Sequence, residues 1–228
     1  HVLDEQPAGP QPAGVRQLGQ APRGQQTAGH PDRGIQRAGH HHRNVDLAGD
    51  LPLVLGMPEP SGPGVTEWLA AGSSAPPDAL ARLEQRVGPG LTLLHRGEGD
   101  LSAASADLLL QVLTASGRTV VVDCGVVVPG WSVSVARQVA AEANRSLLVT
   151  RPCYLALRRA DVLPITPSGV VVVRESWRHL TDRAVAEHVN APVVLTVDVD
   201  PAVARAVDSG LLVSRLPRRF VDGMRAVA

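Results

Sequence analysis

Lysine is absent from this sequence of 228 residues, so all 22 of its basic residues are arginine. The acidic residues also number 22, and the formal net charge is zero. The overall charge therefore gives no reason to expect a nucleic-acid partner. No site in this chain can use a lysine side chain.

Aromatic residues make up only 2% of the chain, which predicts a core of valine, leucine and alanine. The two cysteines, Cys124 and Cys153, form no disulfide framework and no paired metal-binding motif. No apolar run reaches the roughly 20 residues that span a bilayer, and no secretory signal is visible. These absences predict a cytoplasmic protein without a membrane span.

The first 44 residues differ in composition from the rest of the chain. They contain seven glutamines but only five residues of valine, leucine and isoleucine, and they show no helical or alternating period. Such a segment buries too little apolar surface to offset the entropy lost on ordering. We predict a low-complexity, disordered segment over residues 1–44 and an α/β domain over residues 45–228.

Short β-branched runs alternate with longer amphipathic stretches from Val45 onward. The predicted strands cover residues 91–97, 119–125, 146–150, 169–175 and 192–198, with one more near 45–48. The predicted helices cover residues 78–87, 102–115, 131–143, 153–162, 181–189 and 200–210. This alternation predicts a mainly parallel sheet flanked by helices in three layers. Ligands bind such sheets beyond the carboxyl ends of the strands.

Four stretches, taken in order and spacing, resemble the ParA/MinD family of P-loop ATPases. They are "NVDLAGDLPLVLGMPEPSGPGVTEWLAAG", "TVVVDCG", "SLLVTRPCYLALRRA" and "PVVLTVDVDPAVARAVDSGLL". The resemblance covers about residues 45–228 and is closest to divergent actinobacterial members, some of them named CpaE-like or chromosome-partitioning proteins. It implies a P-loop NTPase-like fold, ATP and magnesium as cofactors, and a homodimer or protein partner.

The resemblance also implies roles for individual residues. Asp123 matches the aspartate that holds magnesium through water. Asp46 matches a carboxylate near the attacking water, but the family's second acidic position is Ala48 here, with Asp50 two residues later. Asp46 and Asp50 are therefore the candidate catalytic residues and Asp123 the candidate metal ligand. From the residues alone, a solvated turn after a strand is the better explanation for Asp46 and Asp50, and a strand-end residue that caps a turn for Asp123.

The stretch from Val197 to Pro201 resembles the family's loop beside the adenine. The resemblance therefore makes Asp198, Asp200 and Pro201 candidate cofactor-binding residues. Asp200, Pro201 and Gly210 also carry the signals of a helix start and stop. Arg174 stands where the family often has an asparagine that touches the base.

The family's glycine-rich phosphate loop, with its lysine, should precede Asp46 by a strand and a helix. Residues 1–44 contain no such pattern. "SGPGVTEW" (residues 61–68) follows no predicted strand and precedes only a short helix, so its context argues against a phosphate loop. One hypothesis is that the first 44 residues are translated from a shifted frame or from a start site unrelated to the ancestral domain. Without the missing strand, an exposed sheet edge and lowered stability or self-association are expected.

Three functions remain open from the sequence. The chain is a ParA/MinD-like positioning switch that lacks its phosphate loop and does not use ATP, a non-catalytic interaction module of that fold, or an unrelated doubly wound domain that binds another small ligand. Two small basic clusters could contact an acidic partner or DNA, although a solvated helix face explains them equally well. Their members are Arg158, Arg159, Arg215, Arg218 and Arg219.

Overall fold

The computed structural model describes residues 42–76, 78–101, 106–126 and 134–224. Most of the segment predicted to be disordered, residues 1–41, lies outside the described residues. The first strand begins at His42, so residues 42–44 of that predicted segment belong to the strand.

Seven strands form two sheets in the described part of the chain. They are β1 (His42–Asp46), β2 (Gln85–Gly88), β3 (Leu91–Leu94), β4 (Thr119–Asp123), β5 (Leu147–Thr150), β6 (Gly169–Arg174) and β7 (Val193–Asp198). The first sheet has the order β2-β3-β1-β4 and the second the order β5-β6-β7. Among these strands only β2 and β3 pair antiparallel, so the mainly parallel α/β fold predicted from the sequence is confirmed.

The helices lie between and after the strands. They are α1 (Leu51–Val54), α2 (Val65–Ala71), α3 (Ala79–Arg82), α4 (Ala106–Ala115), α5 (Val135–Glu142), α6 (Tyr154–Ala160), α7 (Asp182–Val189), α8 (Pro201–Asp208), α9 (Leu212–Arg215) and α10 (Arg218–Met224). Helices α5, α7 and α8 each begin at a polar cap whose side chain accepts a backbone hydrogen bond: Ser134, Thr181 and Asp200. None of the helices in the described ranges is long and apolar enough to cross a membrane.

One predicted helix, over residues 78–87, is wrong in its second half. Only Ala79–Arg82 is helical, and Gln85–Gly88 forms β2 instead. The strand pairs antiparallel with β3 across a tight turn at Gly90, whose φ is 70°. Hydrogen bonding to a neighbouring strand therefore overrides the helical pattern in this short segment.

Each sheet has its own buried cluster of apolar side chains. The larger cluster joins strands β1 and β3 to helices α2, α4 and α5 through Val45, Leu94, Trp68, Leu109 and Val135. The smaller cluster packs α6 and α7 on β6 through Leu157, Val170, Val172 and Val185. Leu163 and Ile165, which follow α6, pack against the larger cluster and so tie the second half of the chain to the first.

Gly56 is a second link between the two halves. Its φ is 72°, and a Cβ atom at this position would collide with the carbonyl oxygen of Gly210. We expect Gly56→Ala to lower the free energy of unfolding by about 1–3 kcal/mol more than Gly62→Ala, because overpacking adds to the backbone strain. Gly62 is the matched control, since its φ is 99° and a methyl group there would have no atom within 4 Å. Urea unfolding measures both variants, and equal losses would contradict this contact.

Candidate functional site

Two of the predicted site aspartates meet at the carboxyl edge of the first sheet. β1 ends at Asp46 and β4 ends at Asp123, and the two residues are register partners in the parallel pairing of these strands. The parallel pairing of β1 and β4 places them there, because each aspartate is the last residue of its strand. The two residues are therefore neighbours at this edge of the sheet.

Asp46 is fully buried, and its carboxylate is held by its own turn. Oδ1 accepts hydrogen bonds from the backbone N–H groups of Ala48 (3.0 Å) and Gly49 (2.7 Å), and Oδ2 accepts one from Leu51 (3.2 Å). Burial raises the pKa of Asp46 above its ordinary value; the three backbone hydrogen bonds oppose this shift and the nearby charge of Asp123 adds to it. The carboxylate thus closes the turn into α1.

Asp123 also accepts a hydrogen bond from a backbone N–H group in the turn that follows its strand. Its Oδ1 accepts a hydrogen bond from the N–H of Gly125 at 2.9 Å, where the chain turns with φ 74°. Its neighbour Cys124 packs against the larger core cluster, and burial together with the charge of Asp123 raises the pKa of this thiol to about 11. The thiol is therefore protonated at neutral pH and is not an activated nucleophile.

Asp50 is separated from this pair in its environment. It precedes α1 as the N-cap residue, but its side chain is exposed and makes no capping hydrogen bond. The structure thus brings together Asp46 and Asp123 and leaves Asp50 on the surface.

The glycine-rich stretch before α2 is occupied by a carboxylate of the chain itself. Glu67 accepts hydrogen bonds from the backbone N–H groups of Gly64 and Glu98, each at 2.7 Å. The next two amides, of Val65 and Thr66, donate to the carbonyl oxygens of His95 and Arg96. Burial alone would raise the pKa of Glu67, but the hydrogen bonds from the backbone N–H groups of Gly64 and Glu98 lower it below its ordinary value. The amides at this helix start are therefore unavailable to phosphate oxygens.

A cavity of about 370 Å³ lies at the carboxyl end of β7 and contains all three predicted cofactor-binding residues. Asp198 ends the strand, Asp200 caps α8 by accepting a hydrogen bond from the N–H of Ala202 (2.9 Å), and Pro201 begins the helix. The rest of the lining comes from α10 and from neighbouring strand residues: Phe220, Gly223, Thr196, Val197 and Val199.

Arg174 is committed to an ion pair beside this cavity. Its Nη2 lies 2.8 Å from both carboxylate oxygens of Asp182, and the hydroxyl of Thr196 donates to the same carboxylate at 2.7 Å. Burial alone would raise the pKa of Asp182, but the hydrogen bonds from Thr196 and Arg174 lower it below its ordinary value. A ligand that used the Arg174 guanidinium would have to share it with Asp182.

Sequence reasoning did not identify Glu67, Phe220 or Gly223. Glu67 stands at the third position of a helix after Gly64, a capping-box spacing that was open to recognition. Phe220 is the only phenylalanine of the chain, but nothing local in the sequence shows that α10 folds back on β7.

The described residues do not fit a triphosphate. The chain has no lysine, and the described backbone amides near the candidate positions serve its own carboxylates and carbonyl groups. Within residues 42–76, 78–101, 106–126 and 134–224, no group of three or more His, Cys, Asp or Glu side chains is placed to hold a metal ion. In these ranges the two carboxylates are neighbours, and the amides beside them donate to groups of the chain itself.

Comparisons with known proteins place the fold. No protein-family model and no curated protein matches the sequence. Among solved structures, the ParA family ATPase of Chlorobium tepidum TLS has a TM-score of 0.66 at 20% identity, over 84% of this chain and 88% of that chain. The MinC:MinD cell division protein complex of Aquifex aeolicus has a TM-score of 0.62 at 16% identity, over 83% and 81% of the two chains.

A third solved structure is the septum site-determining protein MinD of Pyrococcus horikoshii OT3, complexed with Mg-ADP. It has a TM-score of 0.58 at 18% identity, over 76% of this chain and 74% of that chain. At these identities the likeness is one of fold. This chain is an α/β protein with the fold of the ParA and MinD ATPases.

Proposed function

We propose that this chain is a ParA/MinD-like protein of a positioning or partitioning system that does not itself use ATP. The sequence resemblance supports a CpaE-like, actinobacterial member that works in the cytoplasm. The fold likeness to a ParA family ATPase and to MinD supports the broad class.

One observation supports the part of the proposal that this chain does not use ATP. Beside the two candidate strand ends and in the glycine-rich stretch before α2, a carboxylate of the chain already accepts the backbone hydrogen bonds. Asp46 takes three amides, Glu67 takes two, and Asp123 takes one. A triphosphate would have to displace these carboxylates and would find no lysine to neutralise it.

Magnesium binding would depend on the phosphates of a bound nucleotide. In sites of this kind, Mg²⁺ is bound by one or two carboxylates together with substrate phosphates. Asp123 is the residue that would contribute to such a site, because it ends β4 beside Asp46. Without bound phosphates, the two aspartates lack the remaining oxygen ligands.

Titration of the full chain with ATP in the presence of Mg²⁺ tests this proposal. We expect no saturable, magnesium-dependent heat at ligand concentrations up to about 1 mM, which corresponds to a binding free energy weaker than about −4 kcal/mol. A micromolar, magnesium-dependent affinity would refute the inactive assignment.

Asp123→Ala is the matched variant for that titration. We expect it to leave the ATP titration unchanged and to alter only stability, because Asp123 holds the turn at Gly125. If Asp123→Ala abolished a magnesium-dependent signal seen with the unaltered chain, the metal role implied by the resemblance would be established instead.

A second candidate function, that of a protein-interaction module, is favoured by the carboxyl side of the fold. Large apolar side chains that follow strand ends are exposed there, including Tyr154 (75%), Trp177 (65%) and Val126 (73%). Exposed aromatic side chains of this kind are typical of protein contacts. The MinC:MinD complex is an example of a protein partner for this fold. Tyr154→Ser combined with Trp177→Ser would abolish partner or self-association without changing the melting temperature if this function is correct.

A further inference from the structure

One carboxylate joins the segments that follow β5 and β6. Glu175, which follows β6, has a side chain that is only 12% exposed, and it contacts both Arg151, which follows β5, and Arg178. Its Oε1 lies 3.5 Å from Nη1 of Arg151, and its Oε2 lies 2.8 Å from Nε of Arg178. Because both arginines contact the oxygens of the same carboxylate, their guanidinium groups are neighbours at the carboxyl edge of the second sheet.

These two guanidinium groups are held in place and are accessible. Backbone turns fix both segments: the N–H of Cys153 donates to the carbonyl oxygen of Arg151 (2.8 Å), and the N–H of Arg178 donates to that of Glu175 (2.9 Å). Glu175 uses one nitrogen of each arginine, although a guanidinium carries five N–H donors in a planar fork. The Arg151 side chain is 58% exposed and that of Arg178 is 37% exposed, so a second carboxylate can reach the remaining donors.

Large apolar side chains flank the two arginines. Tyr154 lies three residues after Arg151, Trp177 directly precedes Arg178, and both aromatic side chains are exposed. Tyrosine, tryptophan and arginine are the residues that contribute most to protein–protein interfaces. We call Arg151, Tyr154, Trp177 and Arg178 the arginine–aromatic surface, and its composition is that of the centre of an interface.

The local charge indicates which partner this surface fits. Residues 151–161 and 175–180 contain four arginines and two acidic residues, which leaves two positive charges in a chain of zero net charge. Both acidic residues, Asp161 and Glu175, are already paired with arginines. Nucleic acids bind through several neutralised phosphates, for which two net charges are few. Leu155, exposed beside Tyr154, packs on apolar side chains and offers no ring for a base to stack on.

We propose that the arginine–aromatic surface binds an acidic peptide segment of a partner protein. A carboxylate of that segment contacts Arg151 and Arg178, and its neighbouring apolar side chains pack on Tyr154 and Trp177. This proposal rests on the second function proposed above, that of a protein-interaction module, and it names the chemistry of the partner. Because Glu175 already orders the two arginines, binding loses little side-chain entropy.

The test uses the full chain and two labelled decapeptides. One alternates glutamate with leucine, and the other repeats two glutamates followed by two leucines, which suits an extended and a helical segment respectively. We expect saturable binding of at least one peptide by fluorescence anisotropy, and none when lysine replaces every glutamate or serine replaces every leucine. Arg178→Gln and Trp177→Ser should each weaken the binding about tenfold.

Matched variants separate this surface from general effects of charge and exposure. Arg183→Gln and Leu53→Ser should leave the affinity unchanged, because Arg183 is 85% exposed on α7 and Leu53 is 61% exposed on α1, both outside the arginine–aromatic surface. Arg178→Lys should bind with intermediate affinity, since it keeps the charge but loses the planar fork. All variants should keep the far-UV circular dichroism of the unaltered chain.

Four results would overturn the proposal. They are failure of both acidic peptides to bind, equal losses in the matched variants, tighter binding of a ten-thymidine oligonucleotide than of either peptide, and self-association in sedimentation that Trp177→Ser abolishes, which would show a second copy as the occupant. If Tyr154→Ser with Trp177→Ser abolished association but no acidic peptide bound, the interaction module would stand and only this partner chemistry would fail. None of these readouts depends on whether the chain binds ATP.

Discussion

Replacement of Glu84 by alanine is expected to lower the free energy of unfolding by about 3–5 kcal/mol, the largest loss among the variants considered. Glu84 directly precedes β2 and accepts hydrogen bonds from Arg43 of β1, from Arg118 and, at 3.0 Å, from the hydroxyl of Thr92. The Arg43 side chain is only 5% exposed. Without Glu84, its guanidinium is a buried cation without its counter-charge.

Glu187→Ala is the matched control for that variant. Glu187 pairs with Arg183 at 2.8 Å on the surface of α7, where both side chains are largely exposed. Its removal is expected to change stability by no more than about 0.5 kcal/mol. Chemical unfolding measures both variants, and similar losses for Glu84 and Glu187 would show that the buried network does not form.

Glu84 also predicts how the stability of the chain depends on pH. Burial alone would raise the pKa of Glu84, but the contacts with Arg118, Thr92 and Arg43 lower it below the ordinary value. The unfolded chain therefore takes up a proton at higher pH than the folded chain. The stabilisation by Glu84 is complete above the ordinary glutamate pKa and is lost as the pH falls through the lowered one. Glu84→Gln should remove this acid-side loss, and a stability difference that grows on acidification would contradict it.

Asp46→Ala is expected to cost about 2–4 kcal/mol, because three backbone N–H groups lose the buried carboxylate that accepts their hydrogen bonds. Asp46→Asn should cost less: an amide oxygen still accepts from Ala48 and Gly49, but the amide NH₂ faces the N–H of Leu51. Asp50→Ala is the matched control, since that aspartate is exposed and makes no capping hydrogen bond. Chemical unfolding near neutral pH ranks the three variants.

The ranking separates a structural role of Asp46 from a catalytic one. If the role of Asp46 is structural, the loss of stability is largest for Asp46→Ala, smaller for Asp46→Asn and smallest for Asp50→Ala. A large loss for Asp50→Ala or none for Asp46→Ala would contradict the turn described above. Because the pKa of Asp46 is raised, the folded chain holds its proton to higher pH, and stability declines as the pH rises through that interval. Asp46→Asn should remove this decline.

Many strands and helices of the fold could be predicted because they depend on local sequence patterns. The run Gly169–Arg174 is apolar on both faces and forms the best-covered strand, β6. Asp200 and Pro201 mark the start of α8, and the side chain of Asp200 caps it as expected. In the described part of the chain, β1 pairs on both sides, whereas β2, β4, β5 and β7 each pair on one side only.

The candidate site was less predictable because its contacts join distant parts of the chain. Glu67 and the N–H group of Glu98 are 31 residues apart along the chain and meet only in the folded protein. The contact of α10 with the β7 cavity is equally non-local. The roles implied by the resemblance for Asp46 and Asp123 stay predictions, whereas their use as turn acceptors follows from the geometry of the folded chain.

Thermal unfolding of the full chain with and without Mg-ATP tests the central claim most directly. A ligand at 100 times its dissociation constant stabilises the native state by about 2.7 kcal/mol, which raises the melting temperature of a protein of this size by several degrees. In the described residues, backbone amides beside the candidate positions already donate to Asp46, Glu67 and Asp123, and the chain has no lysine, so we predict an unchanged melting temperature. A rise of several degrees that requires both magnesium and ATP would contradict this account.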